Sequence, residues 1–247
     1  AGEDNNIYLA CHVGGADFSL GAAKFNFRNL KNKGFISIIQ PNGSFLNSFL
    51  INSDTLQSDN IMDIGAIDTS NIYVIGFVDD SINFNNKYYS SINKTTKHLT
   101  NMKFPYLGVI SMSKGAKWIK FPFSRTNISE YNPNKLGATV ERLAYDLSGH
   151  FYTVFPGSDT IVSIGGLSFN TTSYLWCAFV KFDKVGNALW IKLDPGGNPV
   201  RDMFSTSDSN MVYTGLFYKN ISIDPFNFNQ KSNKNPFGTY IAKTNDY

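Results

Sequence analysis

The chain reads as an all-β repeat protein, and three observations carry that reading. Helical periodicity is nearly absent: short runs rich in Val, Ile, Phe and Tyr alternate with turns of Gly, Asn, Asp and Ser. One phrase recurs four times, an Asp, a short polar turn, then an apolar strand carrying a Tyr. It runs Asp4-Asn5-Asn6-Ile7-Tyr8, Asp68-Thr69-Ser70-Asn71-Ile72-Tyr73, Asp146-Leu147-Ser148-Gly149-His150-Phe151-Tyr152 and Asp208-Ser209-Asn210-Met211-Val212-Tyr213. The Tyr residues stand 65, 79 and 61 positions apart, the scale of a repeat whose units bury their faces against their neighbours.

The elements follow in order as four strand positions per unit. The first position ends in the Asp: Ile61–Ile67, Thr139–Tyr145 and Val200–Thr206. The second carries the Tyr: Ile7–Val13, Ile72–Val78, Phe151–Phe155 and Met211–Phe217. The third is Phe35–Ile39, Gly108–Met112, Ala178–Phe182 and Thr239–Lys243, and the fourth is Phe45–Ile51, Lys117–Phe121 and Ala188–Leu193. Asp and Asn suit the first turn because their side chains bond local backbone and tolerate positive φ. Third and fourth strands meet across Pro41-Asn42-Gly43, Ser113-Lys114-Gly115 and Lys184-Val185-Gly186-Asn187, where Gly permits a tight hairpin. The connection from second to third strand is long and variable, with a repeated Phe-Asn at Phe25-Asn26, Phe84-Asn85, Phe169-Asn170 and Phe228-Asn229. That Phe is read as an anchor pinning the connection to the sheet. The units span roughly 1–59, 60–137, 138–198 and 199–247.

Composition bounds the function classes. A chain of 247 residues holds one large all-β domain or two small ones. Its apolar fraction of 42% is near the globular norm, and its charged fraction of 17% is below it. Net charge is +3 with no run of basic residues, so a nucleic-acid path is not expected. No apolar stretch approaches the roughly 20 residues of a membrane span, and the N-terminus carries no signal-peptide pattern. Cys11 and Cys177 lie far apart in apolar runs and read as buried free thiols, with a disulfide between distant units as the alternative; one pair offers no framework to read.

The stretch Ala178-Phe179-Val180-Lys181-Phe182-Asp183-Lys184-Val185-Gly186-Asn187-Ala188-Leu189-Trp190, through Gly196-Gly197 and Asp208-Ser209-Asn210-Met211-Val212-Tyr213-Thr214-Gly215, resembles the bacterial β-propeller repeat of many secreted and surface proteins. The likeness spans nearly the whole chain in about three and a half copies, clear in the third and weaker in the first. Trp118 and Trp190 match its Trp position, and Phe45-Leu46 replaces it in the first copy. The resemblance implies a propeller of four-stranded antiparallel blades in an exported or surface setting, and it implies no reaction. The chain opens on a second-position strand and closes after a third-position one, and so few blades do not complete the usual ring. The expectation is a segment of a longer propeller, or an arc completed by another chain, with open edges at both ends.

Motifs for catalysis are mostly missing from the sequence. His12 follows Cys11 on one strand, so the two face opposite sides and form no Cys-His pair. His150 stands in the turn phrase where sister copies carry Asn, and reads as a turn residue; His98 lies in the polar insertion Asn93–Lys103. No HExxH, CxxC, phosphate loop, dinucleotide Gly signature or Gly-x-Ser-x-Gly elbow occurs. Asp79-Asp80 and Glu141-Arg142 are the nearest candidates for glycosidase-type chemistry, and both read better as surface features. Turns such as Asp68-Thr69-Ser70-Asn71 lack the carboxylate density of a calcium site. Asn42, Asn93, Asn127, Asn170 and Asn220 open glycosylation sequons, which matter only in a glycosylating host. No catalytic, cofactor or metal residue is assigned. The expected function is a non-catalytic propeller on a cell envelope, extracellular assembly or virus particle, contacting proteins, glycans or copies of itself. The alternative is a propeller hydrolase whose acids lie largely outside this segment.

Overall fold

The structure is a computed structural model that describes residues 4–15, 17–26, 28, 33–51, 60–78, 81–84, 87–90, 104–122, 142–157, 161–170, 176–194, 200–206, 210–218, 220–223, 226–229 and 237–244. Among them are twenty-two β-strands and no helix. The chain divides into two compact units, Ala1–Phe121 and Pro122–Tyr247, and each holds two of the repeats.

In the first unit, β1 (Ile7–Val13), β4 (Lys33–Ile39) and β5 (Phe45–Ile51) form an antiparallel sheet in the order β1-β4-β5. Beside it, β6 (Asn60–Asp68), β7 (Asn71–Val78), β10 (Phe104–Ser111) and β11 (Gly115–Lys120) form a second in the order β6-β7-β10-β11. In the second unit, β12 (Leu143–Tyr145), β13 (Phe151–Gly157), β16 (Trp176–Phe182) and β17 (Ala188–Asp194) form a third sheet in the same order. A fourth contains β18 (Val200–Ser205), β19 (Met211–Tyr218) and β22 (Phe237–Thr244), ordered β18-β19-β22. Every sheet therefore follows the expected sequence of strand positions. Residues 139–141 of the expected first-position strand in the third repeat lie outside the described residues.

The connection from second to third position, read from sequence only as long and variable, is itself a β-hairpin in each repeat. These are β2 (Asp17–Leu20) with β3 (Ala23–Asn26), β8 (Ser81–Phe84) with β9 (Lys87–Ser90), β14 (Ile161–Ile164) with β15 (Leu167–Asn170), and β20 (Asn220–Ile223) with β21 (Phe226–Asn229). Strands of four residues give too short an alternation to register as a period. The hairpins also correct the Phe-Asn alignment. Phe25, Phe169 and Phe228 pair with Phe18, Val162 and Ile221, whereas the residue pairing with Ile82 is Tyr89. Tyr89-Ser90 is thus the counterpart, and Phe84 closes the other strand of its hairpin. Phe25 does anchor: its ring lies 5.1 Å from Phe18 and 5.1 Å from Phe35.

Each fourth-position strand carries a bulge near its start. Ile39 faces Phe45 but Ile38 faces Asn47; Ile110 faces Ala116 but Val109 faces Trp118; Phe182 faces Ala188 but Lys181 faces Trp190. The extra residues Leu46, Lys117 and Leu189 are exposed. A one-residue slip moves every later side chain to the other face. Trp118 and Trp190 are equivalent, as expected, but Asn47 is their counterpart in the first sheet, in place of Phe45-Leu46. Both Trp residues are only partly buried, because among the described sheets the fourth position is an edge.

The core sits between sheets. In the first unit Ile36, Ile38, Phe49 and Ile51 pack with Ile72, Val74, Ile110 and Ile119 of the second sheet. Gly34 leaves room for the second sheet: a Cβ there would meet Ile61 Cγ1 at 2.7 Å. In the second unit Tyr152, Val154, Cys177 and Phe179 pack with Met203, Met211, Tyr213 and Tyr240.

Candidate functional site

The recurring Asp was read from sequence as a turn residue, and its surroundings decide what the turns can do. Asp146 opens a five-residue turn in which its own N–H donates to the His150 carbonyl at 2.9 Å and Gly149 N–H donates to the Asp146 carbonyl at 3.0 Å. Asp183 repeats this with Asn187 at 2.9 Å and Gly186 at 2.9 Å. Gly149 and Gly186 sit at φ 85° and 80°, the left-handed position that closes such a hairpin without Cβ strain.

The Asp side chains finish the turns. Asp146 accepts from His150 N–H at 3.0 Å, lies 3.1 Å from His150 Nδ1, and accepts from the Tyr152 hydroxyl at 3.4 Å. Asp183 accepts from Val185 N–H (2.9 Å), Asn187 N–H (2.8 Å) and Asn187 Nδ2 (2.9 Å). Asp68 accepts from Ser70 N–H at 2.7 Å and Asn71 Nδ2 at 3.1 Å. Asp4 accepts from Asn6 N–H (3.1 Å), Asn6 Nδ2 (2.9 Å) and the Tyr8 hydroxyl (2.6 Å). His150 therefore does through a ring nitrogen what the Asn amide does in sister turns, as its place in the phrase predicts. Partial burial pushes the Asp4 carboxyl up, but the Tyr8, Asn6 and Thr69 hydrogen bonds outweigh it and hold the group below its usual value. These carboxylates are turn locks: each is committed to donors of its own turn or the strand that follows and, for Asp4, also to Thr69 in the turn of the second sheet, which leaves it poorly placed to take a proton from a substrate.

The fourth repeat departs from the phrase. Asp208 lies outside the described residues, and Thr206 stands where Asp146 stands: its N–H donates to Asn210 O at 2.8 Å. Val212 then occupies the position of Tyr8, Tyr73 and Tyr152, and Tyr213 falls one residue later on the opposite face. There it is buried with Tyr240, and burial, with Asp194 and Cys177 nearby, pushes its phenol up to about 12.

The other sequence candidates disperse. Asp79-Asp80, Glu141 and His98 lie outside the described residues. Arg142 donates through Nε to the Arg201 carbonyl at 2.5 Å, and its own carbonyl accepts from Thr153 Oγ1 at 2.8 Å. It clamps the third sheet to the fourth. His12 Nε2 lies 3.2 Å from the Ile61 carbonyl, which makes that nitrogen the donor, while Cys11 packs on the opposite face against Val13 and Phe35. Cys11 and Cys177 are free thiols. Two acids escaped the sequence reading: Asp63 and Asp202 follow bulges in β6 and β18, where each Oδ1 accepts the next residue's N–H at 2.9 Å. The shared apolar-x-Asp-apolar pattern of Ile61–Ile64 and Val200–Met203 was the available signal. Among the described residues no group of three His, Cys, Asp or Glu side chains is placed to hold a metal, and no helix is long and apolar enough to cross a membrane.

What the turn end of the third sheet does offer is apolar surface. Phe151 pairs with Phe182, so the turns 146–150 and 183–187 sit side by side. They present Leu147 at 73% exposure and Val185 at 49%, with Leu189 at 48% on the adjoining bulge. Comparison with protein-family models and with curated proteins finds no match to this chain.

Proposed function

We propose that the chain is a non-catalytic β-propeller segment of an extracellular surface or particle assembly, a scaffold whose turn ends and loops contact protein or glycan. One observation supports this most: in the third sheet the Asp146 and Asp183 carboxylates are used up in closing their turns, while the same turns hold Leu147, Val185 and Leu189 out to solvent. A rigid strand framework that presents exposed apolar loop residues is built for contact, and the repeated four-position sheets agree with a blade architecture. The test pairs two assays on one preparation. Saturable binding in a glycan array or to envelope fractions, lost in Leu147→Asp/Val185→Asp, is expected without turnover of a chromogenic glycoside panel. Turnover that tracks the purified protein would replace this reading with the hydrolase alternative.

A further inference from the structure

Register equivalence places the four main sheets on a common frame. Tyr8 pairs with Ile38, Tyr73 with Val109, Tyr152 with Lys181 and Val212 with Lys243. From these pairs each sheet has a forward face and a backward face. Ile36, Phe179 and Ile241 are equivalent on the forward face; Ile7, Ile72 and Met211, then Leu9, Val74 and Tyr213, are equivalent on the backward face.

Within each unit the packing has one polarity. The forward face of the first sheet, with Tyr8, Ala10, Ile36 and Ile38, lies on the backward face of the second, with Ile72 and Val74. The forward face of the third, with Tyr152, Val154 and Phe179, lies on the backward face of the fourth, with Met211 and Tyr213. Covered, these positions are dry: Ile36 is 0% and Phe179 3% exposed, Ile72 and Val74 0%, Met211 1% and Tyr213 5%. The fourth sheet's forward face instead leaves Ile241 at 79% and Phe204 at 55%, and the first sheet's backward face leaves Ile7 at 49% and Leu9 at 40%. On that backward face Val13 and Phe35 are buried against Phe18 and Phe25 of the β2-β3 hairpin, so its open part is the Ile7–Leu9 end. Among the described residues of the first and fourth sheets there is thus an open surface of each kind, and the two packed pairs show that faces of these kinds fit each other.

We infer that these two faces bind one another between copies of this chain: the forward face of β18-β19-β22 in one copy seats on the backward face of β1-β4-β5 in the next. The contact is heterologous, so it propagates head to tail until it closes into a ring or runs on as a fibre. The partner is a second copy, because its exposed face has the polarity that each unit already uses. This inference does not depend on the scaffold reading above; its test reads mass, whereas that one reads ligand binding.

Sedimentation velocity across micromolar to submillimolar concentrations tests it. The unaltered chain is expected to form dimers and larger species as concentration rises. Ile241→Glu and Leu9→Glu each place an unpaired charge in the contact and should weaken association at least about tenfold. Both positions are exposed, so near-UV circular dichroism should be unchanged; Ile7→Glu serves if Leu9→Glu is not folded. The decisive step is mixing. Ile241→Glu keeps a sound backward face and Leu9→Glu a sound forward face, so together they should form a heterodimer that grows no further. A chain that stays monomeric throughout, variants that associate like the unaltered chain, or a mixture that yields no heterodimer would each overturn the proposal.

Discussion

Truncating one repeat position in two different sheets gives the sharpest test of the shared register. Phe179 and Ile241 are equivalent in pairing, since Val154 faces Phe179 and Thr214 faces Ile241. Phe179 is 3% exposed with its ring centroid 4.4 Å from Tyr213. Phe179→Ala removes a large buried side chain and leaves a cavity, a cost of about 3–5 kcal/mol. The pairing with Tyr213 accounts for roughly 0.5–1.5 kcal/mol of that, readable as the coupling between Phe179→Ala and Tyr213→Leu in a double-mutant cycle. Ile241, at 79% exposure, has little to lose, and Ile241→Ala should stay within about 0.5 kcal/mol. Equilibrium urea unfolding at low protein concentration measures both, reading the transition of the unit that holds both strands. Similar costs for the two variants, or less than about 1 kcal/mol for Phe179→Ala, would refute the face assignment.

Asp146→Ala takes an acceptor from the buried Tyr152 hydroxyl and from the turn N–H of His150, and should destabilise by about 1–3 kcal/mol in the same assay; Asp183→Ala, at a less buried carboxylate, should cost less. Tyr213, raised from 10.0 to about 12 in the fold, favours folding fully below pH 10 and loses that contribution as pH rises to about 12. Tyr213→Phe should therefore flatten the alkaline stability profile in that window. Asp4 has the opposite sign: its lowered carboxyl value adds stability above 3.8 that is lost as pH falls further, so Asp4→Asn should flatten the acid limb. Cys11, half-buried with its thiol pushed up by burial, should react slowly with a disulfide reagent in the folded chain, and Cys177, at 0% exposure, only on unfolding.

Local chemistry determined where the strands lie. Turn residues and period-two runs act over a few positions, so Ile7–Val13 and Phe45–Ile51 were legible to the residue, and His150 was legible as a turn residue because sister turns put Asn in its place. Tertiary structure decided which way the strands face and what covers them. A bulge adds one residue and flips a face, so the partial burial of Trp118 and Trp190 and the role of Asn47 could not be read from spacing. Arg142 looked like half of a surface charge pair until a carbonyl of the neighbouring sheet took its guanidinium. Phe179 and Ile241 satisfy the same pattern in sequence, yet one is buried and the other open. Alternation states which side of a sheet is apolar; whether that side is dry depends on another sheet packing against it, and that partner comes from residues far along the chain.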